Sequence, residues 1–131
     1  MKILIWVISE IILVFLILTS PIDISNQTSH WFDNLPIDKL IHIFLFGSLS
    51  LSILSYFQYS TNSSLKTIRA KALALIFCIL YGIAMEYYQK YFVPSRSFDV
   101  IDMLADAMGA LVALPFFNWV KHFIQPKAKS L

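Results

Sequence analysis

The sequence has few charged residues, few glycines and a single cysteine, and these shortages exclude several classes of protein. Asp, Glu, Lys and Arg together make up 14% of the 131 residues, and the net formal charge is +2. No run of basic residues occurs, so nucleic acid is not an expected partner. Cys78 stands alone in an apolar run. It has no partner for an internal disulfide or a cysteine-based zinc site, so it is expected to pack as a small hydrophobic residue.

Apolar residues are instead in excess. They make up 58% of the chain, and the mean hydropathy is +0.70, whereas soluble domains contain about 45–50% apolar residues. A soluble protein of this size cannot bury so much apolar surface, and the exposed patches would cause aggregation. The composition therefore predicts an integral membrane protein.

Four apolar windows match the length of about 20 residues that a membrane-spanning helix needs. They cover residues 3–20, 40–59, 70–88 and 100–123. The windows predict an all-α, polytopic membrane protein, a bundle of four transmembrane helices in a single domain over residues 1–131. The first window is interpreted as a retained signal anchor, because no small-x-small cleavage site follows it. Ser and Leu alternate over 48–52, as in a strand, but an isolated strand cannot span hydrocarbon, so a helix is predicted there too.

The basic residues predict the orientation of the chain. With four spans, seven of the ten basic residues fall on one side of the membrane, which the positive-inside rule assigns to the cytoplasm. These seven are Lys2, Lys66, Arg69, Lys71, Lys121, Lys127 and Lys129. We therefore expect a multi-pass protein of the cell membrane with both termini in the cytoplasm.

One acidic residue, Glu10, lies near the middle of the first apolar window. An ionisable group in hydrocarbon is costly, so Glu10 is a candidate for function. The alternative, which we favour, is a hydrogen-bonded structural group that faces another helix.

The other polar candidates gather where the second, third and fourth windows approach the outer side. They are Lys39, His42, Glu86, Gln89, Arg96, Asp99, Asp102 and Asp106. Spacings of three, four and seven residues place the members from each helix on one face. We therefore expect an outward-facing polar pocket that binds a ligand, and the alternative is a purely structural salt-bridge network. Asp38 and Asp99 also stand where a carboxylate can cap a helix N-terminus.

Four of these residues, His42, Glu86, Asp102 and Asp106, are candidates for catalytic acid–base groups. Their nitrogen and oxygen atoms are also of the kind that bind divalent metals. No diagnostic metal-ligand spacing occurs in the sequence, however, so neither a metal nor a cofactor is predicted.

The order and spacing of the candidates resemble the VanZ-like family. The shared segments are D-K-x-x-H at 38–42, E-x-x-Q at 86–89 and P-x-R-x-x-D-x-x-D at 94–102, followed by Asp106 and Gly109. The resemblance covers residues 38–113. The family usually has Asn in place of Asp106 and often a second glycine in place of Ala113, so a role transferred to position 106 has to accommodate a carboxyl group. The family is named for a protein linked to resistance to teicoplanin and related glycopeptides, and the resemblance therefore implies an envelope-related membrane protein without implying a reaction.

Three functions are compatible with this pattern. In the first, the pocket binds a lipid head group, a lipid-linked wall precursor or an amphiphilic antibiotic, and Lys39 and Arg96 pair with phosphate. In the second, the protein is an intramembrane enzyme that acts on a lipid-borne substrate. The third, a proton-coupled transporter that uses Glu10 and Asp106, ranks last because four helices enclose only a thin pathway.

Overall fold

A computed structural model of the chain describes residues 2–20, 37–60, 64–94 and 96–124. These residues form four helices, α1 (Lys2–Leu18), α2 (Ile37–Ser60), α3 (Ser64–Phe92) and α4 (Val100–Ile124), and the described ranges contain no strand. The prediction of an all-α bundle is therefore confirmed.

Three of the four helices are long and apolar enough to cross a membrane. The segments that meet this criterion are Ile37–Gln58, Ile68–Phe92 and Val100–Trp119, and the apolar part of α1, Ile3–Leu18, is shorter. Helix α3 extends beyond its predicted window at both ends. Together with the composition, these helices describe a membrane protein.

The alternating segment of α2, residues 48–52, is helical throughout, and Ser48 and Ser50 lie within hydrogen-bond distance of backbone carbonyls. The hydroxyl of Ser48, and beyond the segment that of Ser55, donates to a carbonyl group one turn earlier, of Leu45 (2.9 Å) and Leu51 (2.8 Å). Ser50 instead donates to the Ala110 carbonyl of α4 (3.3 Å). A hydroxyl bonded in this way adds no unpaired polar group to an apolar environment. Serine is therefore tolerated in α2 without breaking the helix.

Helices α2 and α3 each pack against all the other described helices, and the contact between α2 and α4 is the most extensive in the bundle. Helix α1 touches only α2 and α3 among the described elements. The buried core between the helices includes Phe46, Leu49 and Cys78. The complete burial of Cys78 confirms the prediction that it packs as a small hydrophobic residue. Large apolar side chains such as Phe44 and Trp6 are exposed on the outer faces, where lipid is the solvent that suits them.

Helix α1 is attached to its neighbours by polar contacts. The Tyr81 hydroxyl donates a hydrogen bond to the Ile11 carbonyl (2.9 Å), and the Gln89 amide donates one to the Leu18 carbonyl (2.8 Å). The Ser48 hydroxyl also lies within hydrogen-bond distance of a carboxyl oxygen of Glu10, so its single proton is shared between this oxygen and the Leu45 carbonyl. Glu10 is thus hydrogen-bonded to a neighbouring helix, as the structural interpretation of this residue expects.

A close backbone contact between α2 and α4 sets the geometry of the polar end of the bundle. Gly109 of α4 lies directly against the backbone of Ile43, and a Cβ atom at position 109 would lie 2.9 Å from the Ile43 Cα atom. Only glycine allows this approach, as small residues do at other helix contacts in membranes. Gly47 faces the same contact, but a Cβ atom there would have ordinary spacing, 3.4 Å from the Gly109 carbonyl oxygen.

We expect Gly109→Ala to destabilise the bundle by about 1–3 kcal/mol, because the added methyl group overpacks the contact and forces α2 and α4 apart. The matched control is Gly47→Ala, which should be neutral or slightly stabilising because alanine favours helix over glycine. Thermal unfolding of the purified variants in detergent measures both effects. Equal unfolding temperatures for the two variants would contradict the role assigned to Gly109.

Candidate functional site

Lys39 joins α2 to the beginning of α4. Its ammonium group donates hydrogen bonds to Asp99 (2.9 Å) and to Asp102, two carboxylates one turn apart. The Asp102 side chain is almost fully buried, while those of Lys39 and Asp99 are 24% and 35% exposed. Lys39 therefore compensates a buried carboxylate that would otherwise be costly to place in an apolar bundle, and it does so at the edge of the cluster.

Asp99 forms the corner between the last loop and α4. Its carboxylate accepts a hydrogen bond from the Ile101 backbone N–H (2.8 Å), which confirms the prediction that Asp99 caps α4. Its own backbone N–H donates to the Glu86 carboxylate of α3 (2.9 Å). Glu86 thereby fixes the position at which α4 starts relative to α3.

A second ion pair lies beside the first. The guanidinium group of Arg96, in the loop before α4, is 3.3 Å from a carboxylate oxygen of Asp38. Arginine has five N–H donors, and this contact uses one of its nitrogens. The Arg96 side chain is 20% exposed, so it lies at the partly exposed edge of the cluster.

The deepest part of the cluster is a pair formed by His42 and Asp106. Nδ1 of His42 lies 2.8 Å from an Asp106 carboxylate oxygen, and both side chains are fully buried. Asp106 also packs against Gly82 of α3, where a Cβ atom would come within 2.6 Å of its second oxygen. A carboxylate bonded to Nδ1 orients the imidazole ring and leaves Nε2 available.

Three buried polar atoms in the described part of the chain have no hydrogen-bond partner. They are Nε2 of His42, Oε1 of Glu86 and Oδ2 of Asp106. Buried polar atoms in native proteins nearly always have a partner, from the protein, water or a ligand. These three atoms of one cluster are therefore available to a water molecule, a proton or a ligand.

The cluster is acidic as a whole. Its carboxylates are those of Asp38, Glu86, Asp99, Asp102 and Asp106, and its permanent cations are Lys39 and Arg96. With every carboxylate ionised and His42 neutral, the formal charge is about −3. The charge of the site therefore favours a cation, a proton or a hydrogen-bond donor, and it favours an anion only beside Lys39 or Arg96.

The structure places seven of the eight candidates from the sequence in this cluster and gives the eighth a different contact. Gln89 is buried on the same stripe as Glu86, but its amide bonds to α1. Asp38, for which the sequence favoured a helix cap, lies inside α2, which begins at Ile37, and pairs with Arg96. Gly82 makes room for Asp106. The sequence could have indicated that Asp38 belongs to the cluster, because it is the first residue of the D-K-x-x-H segment.

The neighbouring Lys39 ammonium group and the Ile101 N–H lower the pKa of Asp99 below its usual value. A carboxyl group with a lowered pKa in the folded state stabilises the fold above its unfolded pKa of about 3.9, and this contribution disappears as the pH falls through the folded value. We expect Asp99→Asn, which keeps the cap, to lower the unfolding temperature at pH 7. The difference from the parent should shrink as the pH falls below about 4. A difference that is constant with pH would contradict an ionised Asp99 paired with Lys39.

Two substitutions of Asp106 distinguish the hydrogen bond to His42 from the negative charge beside it. We expect Asp106→Ala to cost about 1–3 kcal/mol of stability, since it leaves His42 without any partner. Asp106→Asn keeps an oxygen near Nδ1 and should cost less. Chemical unfolding of the two variants in detergent compares them. An equal loss in both would show that the negative charge, and not the hydrogen bond, is what His42 requires.

Comparison with known proteins assigns the chain to a family. The family described as VanZ/LLP1 matches residues 3–121, which include nearly all of the four helices and the whole polar cluster. No curated protein and no solved structure gives a significant match to the chain. The match confirms the resemblance that the three polar segments indicated, and the chain belongs to the VanZ/LLP1 family.

Proposed function

We propose that this VanZ/LLP1 protein binds the polar head of a lipid-borne ligand, such as a lipid head group or a lipid-linked wall precursor, in the cluster at the ends of α2, α3 and α4. The observation that supports this proposal is the set of three buried, unpartnered polar atoms, His42 Nε2, Glu86 Oε1 and Asp106 Oδ2. They lie in helices of membrane-spanning length. A ligand that reaches them from the lipid has an apolar part in the bilayer and a polar part in the cluster.

The two cations mark the phosphate end of such a ligand. Lys39 and Arg96 lie at the partly exposed edge and retain unused N–H donors after their contacts with carboxylates. Charge-assisted hydrogen bonds from lysine and arginine are common contacts for phosphate. The phosphate of the ligand would therefore lie at the edge of the cluster, where it adds the least repulsion from the buried carboxylates.

The buried carboxylates suit the remainder of a polar head group. Glu86 Oε1 and Asp106 Oδ2 are acceptors without donors, and hydroxyl or amine groups supply such donors. A head group that combines phosphate with hydroxyl or amine groups is thus complementary to both parts of the cluster. A ligand with phosphate alone satisfies only the edge.

A second candidate function is catalysis on a lipid-borne substrate. The observation that favours it is the His42–Asp106 pair, in which a carboxylate at 2.8 Å orients a buried imidazole whose Nε2 is free. This is the arrangement of a general base. Release of phosphate from a polyprenyl diphosphate, lost in His42→Gln, would favour this function over binding alone.

The proposal includes a location for the site. In this proposal both termini and the beginning of α3 lie in the cytoplasm of a multi-pass cell-membrane protein, and the excess of Lys and Arg near them supports this orientation. The cluster would then open to the outer side. A protein that binds a wall precursor there would alter the susceptibility of the cell to glycopeptides such as teicoplanin, which we include in the proposal.

The test is lipid binding by the purified full-length chain in detergent, measured by native mass spectrometry with a polyprenyl phosphate, phosphatidylglycerol and phosphatidylcholine as probes. We expect the polyprenyl phosphate or phosphatidylglycerol to bind more tightly than phosphatidylcholine. Arg96→Gln should weaken that binding about tenfold, the equivalent of one charge-assisted hydrogen bond.

The matched control is Arg69→Gln, which removes an exposed arginine from the opposite end of α3. It changes the net charge by the same amount and should leave binding as it is. Equal affinities of the two variants, or equal binding of all three lipids, would overturn the proposal. The helical circular dichroism of each variant verifies that it is folded.

A further inference from the structure

We infer that Asp38, His42 and Asp102 form a binding site for one divalent cation, which links the acidic cluster to the phosphate of the ligand. The phosphate link rests on the proposed function, whereas the metal site rests on geometry alone. One ligand atom from each of these three side chains lies within 4.8 Å of the others. Asp38 and His42 lie one helical turn apart on α2, and Asp102 comes from α4, so no spacing in the sequence reveals the set.

The unpartnered nitrogen of His42 is the independent observation that points to a ligand. Its ring is completely buried, Nδ1 is occupied by Asp106, and Nε2 has no partner. Histidines that bind metals usually donate the other ring N–H to a carboxylate, which fixes the tautomer and makes the free nitrogen more basic. Asp106 stands where such an orienting carboxylate is expected.

The remaining ligands are also available. Asp102 uses Oδ1 for Lys39, and Asp38 uses Oδ1 for Arg96, so each carboxylate has a second oxygen to offer. Ligands about 2.1 Å from a metal lie about 3 Å apart, so the three ligand atoms, which lie within 4.8 Å of one another, would move closer together when the cation binds. One imidazole and two carboxylates suit Mn²⁺ or Zn²⁺ better than Ca²⁺.

A bound cation explains how an acidic cluster meets an anionic ligand. The formal charge of about −3 repels phosphate, and one divalent cation reduces it to about −1. Three protein ligands leave further coordination positions for phosphate oxygens, as in sites where a divalent cation binds a few carboxylates together with the phosphates of a substrate. Lys39 and Arg96 would then contact the same phosphate from the edge.

The experiment measures the metal directly. The full-length chain is purified in detergent, stripped with a chelator and titrated with Mn²⁺, which is counted per chain and followed by electron paramagnetic resonance. We expect one tightly bound Mn²⁺ with coupling to a ¹⁴N nucleus, a signature of imidazole ligation. The coupling should disappear in His42→Gln, and Asp102→Asn should weaken Mn²⁺ binding at least tenfold.

The matched control is Glu10→Gln, which removes a carboxylate from the described part of the bundle outside the cluster and should bind Mn²⁺ like the parent. The inference is overturned if the parent protein binds no Mn²⁺, or binds it without ¹⁴N coupling. This result comes from the parent alone and so does not depend on whether a variant folds. Zn²⁺ added to the Mn²⁺-loaded protein tests the same site with the second cation. It should displace the Mn²⁺ and remove the ¹⁴N-coupled signal.

A final arm separates this inference from the proposed function. Polyprenyl phosphate binding is measured with and without chelator, and we expect a loss of about tenfold or more when the metal is removed. Lipid binding that is unaffected by the chelator would overturn the metal link and leave the proposed function intact. One bound Mn²⁺ per chain without any lipid binding would overturn the proposed function and leave the metal site intact.

Discussion

The contact between Gly109 and the backbone of Ile43 is the constraint on which the rest of the polar end depends. It fixes how closely and in which register α2 and α4 meet. Lys39, four residues before Ile43, bonds to Asp102. His42, the residue directly before Ile43, bonds to Asp106. A displacement of one helix along the other would separate both pairs at once. Unpaired charges inside an apolar bundle are costly. The polar contacts and the glycine contact therefore stabilise the same register of α2 against α4.

The bundle uses hydrogen bonds differently on its two sides. Between α2 and α4 most of the bonds join polar side chains, Lys39 to Asp102 and His42 to Asp106, whereas α1 is held mainly through its backbone carbonyls, by Tyr81 and Gln89. In lipid, no water competes for a carbonyl at such a site, so each of these bonds helps to keep a short apolar helix attached. Glu10 adds a contact with Ser48. Helix α1 therefore completes the bundle without contributing to the described contacts of the cluster.

The sequence predicted the helices and the identity of the cluster because both depend on local spacing. Apolar length indicates a spanning helix, and intervals of three, four and seven residues place Asp99, Asp102 and Asp106 on one face. The pairing between helices depends on relative rotation and register, which spacing does not encode. Arg96 therefore pairs with Asp38 and Gln89 bonds to α1, neither of which the sequence indicated. Proximity across two helices also brings Asp38, His42 and Asp102 together, although their spacing predicted no metal site.

Gly82 and Asp106 occupy one shared volume at the contact between α3 and α4. The space that a side chain at position 82 would need is filled by the carboxyl group of Asp106. The two positions should therefore vary together among relatives of this chain. Where position 82 carries alanine or serine, position 106 should carry a residue that is smaller or turned away from α3. Such covariation would show that the space between α3 and α4 is kept even in sequences whose charged residues differ.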